Sequence, residues 1–256
     1  MSASGAKLVG WIKPDDGERE DGKLLDYECL RLNPWLASKG VDELRIEVAL
    51  SRADPNHTPE DLAATGQIER LSEPATTLAT GGADLIAWVC TSGSFVGGRE
   101  WAERQVDNLA RLSGRPATST SLAIVDALRS GAVDEVDLMS PYPPALTDRL
   151  VGFLHDHEID VAERITLDCP TGGASHRFDI VDALHRFVDR IGESERPVLI
   201  PDTAINTLDL GDRLEEVARR PVLTANQATL WHVARRLGVS LRIARAGSLL
   251  QRGALG

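Results

Sequence analysis

The sequence has no apolar run that approaches the roughly 18 residues a membrane helix requires, so a membrane partner is not expected. It has no stripe of clustered Lys and Arg either. With 28 basic against 39 acidic residues the formal net charge is −11, which argues against a nucleic-acid partner, because phosphate binding depends on clustered cations that release counterions. Cysteine is sparse. Cys29, Cys90 and Cys169 are far apart and odd in number, which suits free thiols in a reducing compartment rather than a disulfide framework. The first dozen residues show no charged segment leading into a long apolar core and a small-residue cleavage site, so a cytoplasmic location is expected. Pro/Gly/Ser linkers and low-complexity tracts are missing as well. If the 256 residues form two domains, these are interleaved rather than tethered.

Short apolar runs alternate with longer amphipathic stretches along the chain, the pattern of an α/β protein with a mostly parallel sheet. Residues 7–14, 44–51 and 83–90 read as strands. Residues 57–82 read as helical, with Thr58 as N-cap, Pro59 in the first turn and acids after it. A helix over 98–114 closes on Gly114, which suits a left-handed cap. Beyond it a short strand, a hydroxyl-rich turn and a helix lead to the strand around 135–141. A helix over 145–160, a strand over 160–168 and a helix over 178–192 follow. Residues 196–207 are strand then turn, and the strand "PVLTANQ" feeds a last helix.

Two strand ends echo each other. "ADLIAWVCTSGS" (83–94) and "RPVLIPDTAINT" (196–207) are apolar strands that break at a polar residue followed by Thr, which sets Cys90-Thr91 opposite Asp202-Thr203. Cys90 is either a small hydrophobe closing the core or a reactive thiol. The run Thr91, Ser92, Gly93, Ser94 after it supports the second reading and predicts a lowered pKa, since hydroxyls and turn N–H groups stabilise a thiolate. The same hydroxyls also suit a helix cap, and Asp202 suits an N-cap equally well. His155, Asp156 and His157 are too tightly spaced on a helix to hold a metal together, so no metal site is expected. Of the histidines, His176, in the small-residue loop "DCPTGGASH" with Cys169, is the one considered for a site.

Three blocks in order, "VCTSGSFVGG" (89–98), "SPYPPALTDRL" (140–150) and "LTANQATLWHVARRLG" (223–238), resemble the maleate cis-trans isomerase and arylmalonate decarboxylase branch of the aspartate/glutamate racemase superfamily, and the resemblance spans residues 7 to about 240. It implies two pseudosymmetric, interleaved α/β lobes with the active site between them, here divided as 1–115 plus 222–256 and 116–221. It also implies a small carboxylic-acid substrate, no cofactor, and a homo-oligomer. Each lobe supplies one reactive residue. Cys90 matches the first cysteine of the two-thiol members, whereas Asp202 stands where the second would be; the decarboxylases are understood to keep only the second. A carboxylate, with its usual pKa of about 4, is a weaker base than a thiolate unless burial raises it. Tyr142 matches a tyrosine whose hydroxyl reaches a substrate carboxylate, and packing between Pro141 and Pro143 is the alternative. Thr91, Ser92, Ser94 and Thr203 join it as expected substrate-binding residues, and Asn226 and Gln227 as anchors of the lobe interface. The family's asparagine after the first strand is missing. The acidic stretch "KPDDGERED" (13–21) in its place would repel a dicarboxylate and welcome an amino group. The expected function is a cofactor-independent isomerase or racemase with Cys90 as nucleophile or base. A decarboxylase or hydrolase of the same fold, or a non-catalytic ligand-binding member, is the alternative.

Overall fold

A computed structural model describes residues 5–16 and 18–255. The chain opens with β1 (Lys7–Asp15), a small hairpin of β2 (Arg19–Glu20) and β3 (Lys23–Leu24), a 3-10 turn at Glu28–Arg31, α1 (Leu32–Ser38) and β4 (Leu44–Arg52). Next come α2 (Pro59–Thr65), α3 (Ile68–Thr80), β5 (Leu85–Trp88), α4 (Thr91–Phe95), α5 (Gly98–Ser113) and β6 (Ala117–Ser119). The second half contains α6 (Thr120–Ser130), β7 (Glu135–Ser140), α7 (Pro144–His155), β8 (Asp160–Thr166), α8 (Gly172–His176) and α9 (Ile180–Ile191). It ends with β9 (Val198–Ile200), α10 (Gly211–Ala218), β10 (Val222–Thr224), α11 (Ala225–Arg236) and α12 (Gly247–Arg252).

The strands form two four-stranded sheets, β4-β1-β5-β6 and β10-β9-β7-β8, and every pairing in them is parallel. Numbered within its own half, each sheet has the order 2-1-3-4, so the two halves share one topology. In such a sheet the connections leave the first strand in opposite directions. Ligands bind at that reversal, outside the carboxyl ends of strands one and three. Those strands are β1 and β5 in one sheet and β7 and β9 in the other. The register moves two of the expected lobe limits. Ala117–Ser119 pairs with β5 in the first sheet, and Val222–Thr224 pairs with β9 in the second, because each completes a sheet as its fourth strand before the chain crosses over.

The expected helix over 57–82 is two helices. Thr58 does cap the first, accepting a hydrogen bond from the Asp61 N–H. The break falls at Gly66, whose carbonyl accepts from Gln105 Nε2 at 2.6 Å and whose missing Cβ would lie 2.5 Å from the Gly93 carbonyl. Only glycine lets α2 approach α4 so closely, and that approach brings Leu62 and Thr65 to the site described below. Gly114 takes the left-handed cap expected of it, with φ 65°. One apolar core runs through both sheets, from Trp11 and Trp88 on the first to Leu138, Leu199 and Leu223 on the second. A smaller cluster around Met139, Ile200 and Phe187 backs the second sheet. Among the described residues no helix is long and apolar enough to cross a membrane.

Candidate active site

The carboxyl ends of strands from both sheets converge on a narrow cavity of about 50 Å3. The first sheet contributes Lys13 and Pro14 at the carboxyl end of β1 and Asp16 just past it, Cys90 and Ser92 after β5, and Asp54 and His57 after β4; the second contributes Gly172, Asp202, Thr203 and Ala204. Cys90 and Asp202 each lie two residues past the end of the third strand of their sheet, so the shared topology makes them counterparts. Both line the same cavity.

Cys90 leaves the ladder in an extended conformation and caps α4. Its Sγ accepts from the Gly93 N–H at 3.3 Å and lies 3.7 Å from Ser92 Oγ. A Cβ on residue 93 would sit 3.1 Å from that sulfur, so glycine keeps the sulfur's surroundings clear. The lowered pKa expected of Cys90 is not found. Burial pushes the thiol up to about 11, more than the Gly93 N–H and the Ser92 hydroxyl draw it down. Asp202 adds to the rise and Lys13 opposes it. The sulfur is therefore a neutral thiol at physiological pH, and its donors moderate the desolvation without cancelling it.

Asp202 is buried. Its Oδ1 accepts from the Ala204 N–H at 2.9 Å, an Asx turn rather than a helix cap, since α10 begins only at Gly211. Its other oxygen, Oδ2, makes no hydrogen bond of ordinary geometry, and the Ser175 hydroxyl is near enough to favour the charged carboxylate. Burial raises the carboxyl above its ordinary pKa, with His57 and the Ala204 N–H as the principal opposing influences. An unpaired buried carboxylate oxygen on a cavity wall is free to take a proton from a ligand.

The expected binding residues divide. Ser92 and Thr203 line the cavity. Thr91 is buried beside Cys90 with its hydroxyl unpartnered. Ser94 is committed to the backbone, donating to the Thr91 carbonyl at 2.8 Å and accepting from the Ser121 N–H. Tyr142 is fully buried, and its hydroxyl donates to the Pro201 carbonyl at 2.6 Å, directly behind Asp202. Asn226 donates to Glu28 and to the carbonyls of Thr203 and Ile205, holding the loop that carries Asp202. Gln227 completes the capping box of α11.

Of the histidines it is His57, not His176, that lines the cavity. Its Nδ1 pairs with the Cys169 carbonyl at 3.0 Å, its backbone N–H donates to the Pro170 carbonyl, and its ring meets Tyr142 edge-on. His176 instead contacts the Ala204 carbonyl and the Tyr27 ring. His57 follows the carboxyl end of β4, and that position was its only signal in the sequence. Lys13 was hidden by the acids that follow it.

The sequence model of the arylmalonate decarboxylase family matches residues 60–250. Maleate isomerase of Geobacillus stearothermophilus is 23% identical over 174 residues, 65% of this chain and 69% of that protein. Arylmalonate decarboxylase of Bordetella bronchiseptica is 27% identical over 184 residues, 71% of this chain and 75% of that protein. Among solved structures, a cysteine-to-serine mutant of the Nocardia farcinica maleate cis-trans isomerase, with a covalently bound succinylcysteine intermediate, superposes with a TM-score of 0.83 at 20% identity. It covers 97% of this chain and 99% of its own. With three quarters of the sequence inside the family match and the fold shared throughout, the chain belongs to the arylmalonate decarboxylase family, whose relatives include the maleate isomerases.

Proposed function

We propose that the protein is a cofactor-independent isomerase or racemase of a small carboxylic acid, working in the cytoplasm, with Cys90 and Asp202 as its reacting pair. One observation carries the reading: a thiol and a carboxylate with a free oxygen stand at equivalent strand ends of two sheets and line one small cavity. The hydroxyls of Thr91 and Ser92 hold the substrate carboxylate, with Tyr142 and Thr203 shaping the same region. Asp202 takes the proton next to the carboxylate, and the neutral Cys90 thiol delivers its own proton to the same carbon. This leaves a protonated Asp202 and a Cys90 thiolate, which are the base and acid reversed for the return reaction. On a cis double bond Cys90 first gives its proton to the Asp202 carboxylate, the resulting thiolate adds to one carbon of the double bond, and after rotation about the new single bond it is expelled and takes its proton back.

Asp202→Asn keeps the Asx turn but loses the basic oxygen, so turnover should fall at least about 100-fold with little change in thermal stability. The assay is incorporation of deuterium from heavy water at the carbon next to the carboxylate, across a panel of small acids. Activity within a few-fold of the parent would place Asp202 outside the chemistry. One feature favours decarboxylation as the second reading: a neutral thiol is already the proton donor a carbanion needs after carbon dioxide leaves, and it needs no partner. Carbon dioxide release that survives Asp202→Asn and vanishes in Cys90→Ala would favour that reading.

A further inference from the structure

Lys13 is a buried cation with which no carboxylate of the described residues forms an ion pair. It ends the buried stretch of β1 with only 6% of its surface exposed. Its Nζ donates to the Pro14 carbonyl at 2.7 Å and stands 4.0 Å from the centre of the Tyr27 ring. An ammonium has three donors, and among the described residues no carboxylate pairs with this one. The acids that share the cavity wall form no ion pair with it. Asp54 pairs with Arg70 at 2.7 Å. Asp16 accepts from the Tyr27 hydroxyl at 2.6 Å and from the Glu18 N–H. Asp202 holds the Ala204 N–H with Oδ1, and its Oδ2 forms no ion pair with the ammonium. Burying an ammonium with uncommitted donors is costly unless a ligand completes its shell. Lys13 lines the same cavity as Cys90 and Asp202, and its charge is close enough to draw on the Cys90 thiol.

We propose that Lys13 is a carboxylate anchor that selects a short dicarboxylic acid, gripping one carboxylate while the other lies at Thr91 and Ser92 beside Cys90. This rests on the reading of the cavity as a carboxylic-acid site. It reverses the expectation drawn from the acidic stretch 13–21. Asp15, Asp16 and Glu18 of that stretch have partners of their own, whereas the cation that heads it turns into the cavity. Tyr27 fixes its position, with the ring against the ammonium and the hydroxyl bound to Asp16.

The test compares alkylation of Cys90 in the full chain by iodoacetate, which carries a carboxylate, and by neutral iodoacetamide, at low ionic strength with peptide mapping. Lys13 affects the ionisation of the thiol equally for both reagents, so the ratio of the two rates isolates its grip on the carboxylate. In Lys13→Met the iodoacetate to iodoacetamide ratio should fall about tenfold, and in Lys13→Gln similarly. An unchanged ratio in folded variants would reduce Lys13 to a brace for Tyr27 and overturn the proposal. Should both variants fail to fold, the parent protein still decides. Malonate should protect Cys90 from iodoacetamide at concentrations at least about tenfold lower than acetate at matched ionic strength. Equal protection overturns the anchor. Turnover enters none of these readouts, so a missing deuterium exchange with the rate ratio intact would remove the enzymatic reading and leave the anchor standing.

Discussion

At the scale of single residues, the chemistry of Cys90 follows from two opposed influences on one sulfur. The Gly93 N–H and the Ser92 hydroxyl favour the thiolate, and burial favours the thiol; burial prevails and sets the pKa at about 11. The alkylation rate of Cys90 by iodoacetamide should therefore climb about tenfold per pH unit from pH 7 to 9 without levelling off, since the thiolate is a small fraction throughout. A plateau near pH 8 in the rate of the Cys90 peptide would contradict this. Cys29, buried still deeper and pushed up to about 12, should react more slowly than Cys90 over the same range. The sequence identified Cys90 and Asp202 because each follows an apolar strand and precedes hydroxyls. It misjudged the thiol's ionisation because the donors are local in sequence, whereas the desolvation comes from packing by distant segments.

At the scale of elements, the site depends on short segments pinned to one another rather than on long helices. The 3-10 turn at Glu28–Arg31 is tied to the loop after Asp202 through one carboxylate. Glu28 accepts from the N–H groups of Thr207 and Leu208 and from Asn226 Nδ2 at 2.6 Å. Burial still pushes the Glu28 carboxyl up from 4.5 to about 7. Between those values the folded protein retains a proton that the unfolded chain has released, so stability falls as pH rises through this window. The full effect is at most roughly 3 kcal/mol, at about 1.4 kcal/mol per pH unit. Glu28→Gln removes the titration, and its thermal midpoint should gain on the parent's between pH 5 and pH 8. A difference between the two proteins that stays constant with pH would refute the assignment. None of this was legible in the sequence, where Glu28 is one acid among 39. The break at Gly66 was hidden too, because continuous helical periodicity on both sides gave no sign that Gln105 would claim its carbonyl.

At the scale of the whole molecule, the two halves share a core and meet through matching parts. α6 follows the fourth strand of the first sheet and α11 that of the second, and the two helices pack together. His232 on α11 joins Asp126 of α6 at 2.9 Å to the Thr118 hydroxyl of β6 at 2.9 Å, and Thr229 bonds to Thr120 across the same seam. His232→Leu leaves the buried Thr118 hydroxyl without this partner and should cost about 1–3 kcal/mol, measured by urea denaturation. Because the core crosses both sheets, the parent should unfold in one transition, with tryptophan fluorescence and far-ultraviolet dichroism coincident. Separate transitions would mean that the lobes are energetically independent.

The sequence by itself determined the α/β class, most strands and helices, the echo between two strand ends and the two residues at them. These are properties of hydrophobic period and local turn chemistry, which act over a few neighbours in the chain. Only the tertiary structure decided that Lys13 and His57 join Cys90 and Asp202 in one cavity, that Ser94 and Tyr142 spend their hydroxyls on backbone carbonyls, and that the Cys90 thiol stays protonated. Each of these depends on which strand ends converge and on how much water they exclude. Groups brought together from residues 13, 57, 90 and 202 meet only after both sheets have closed on each other.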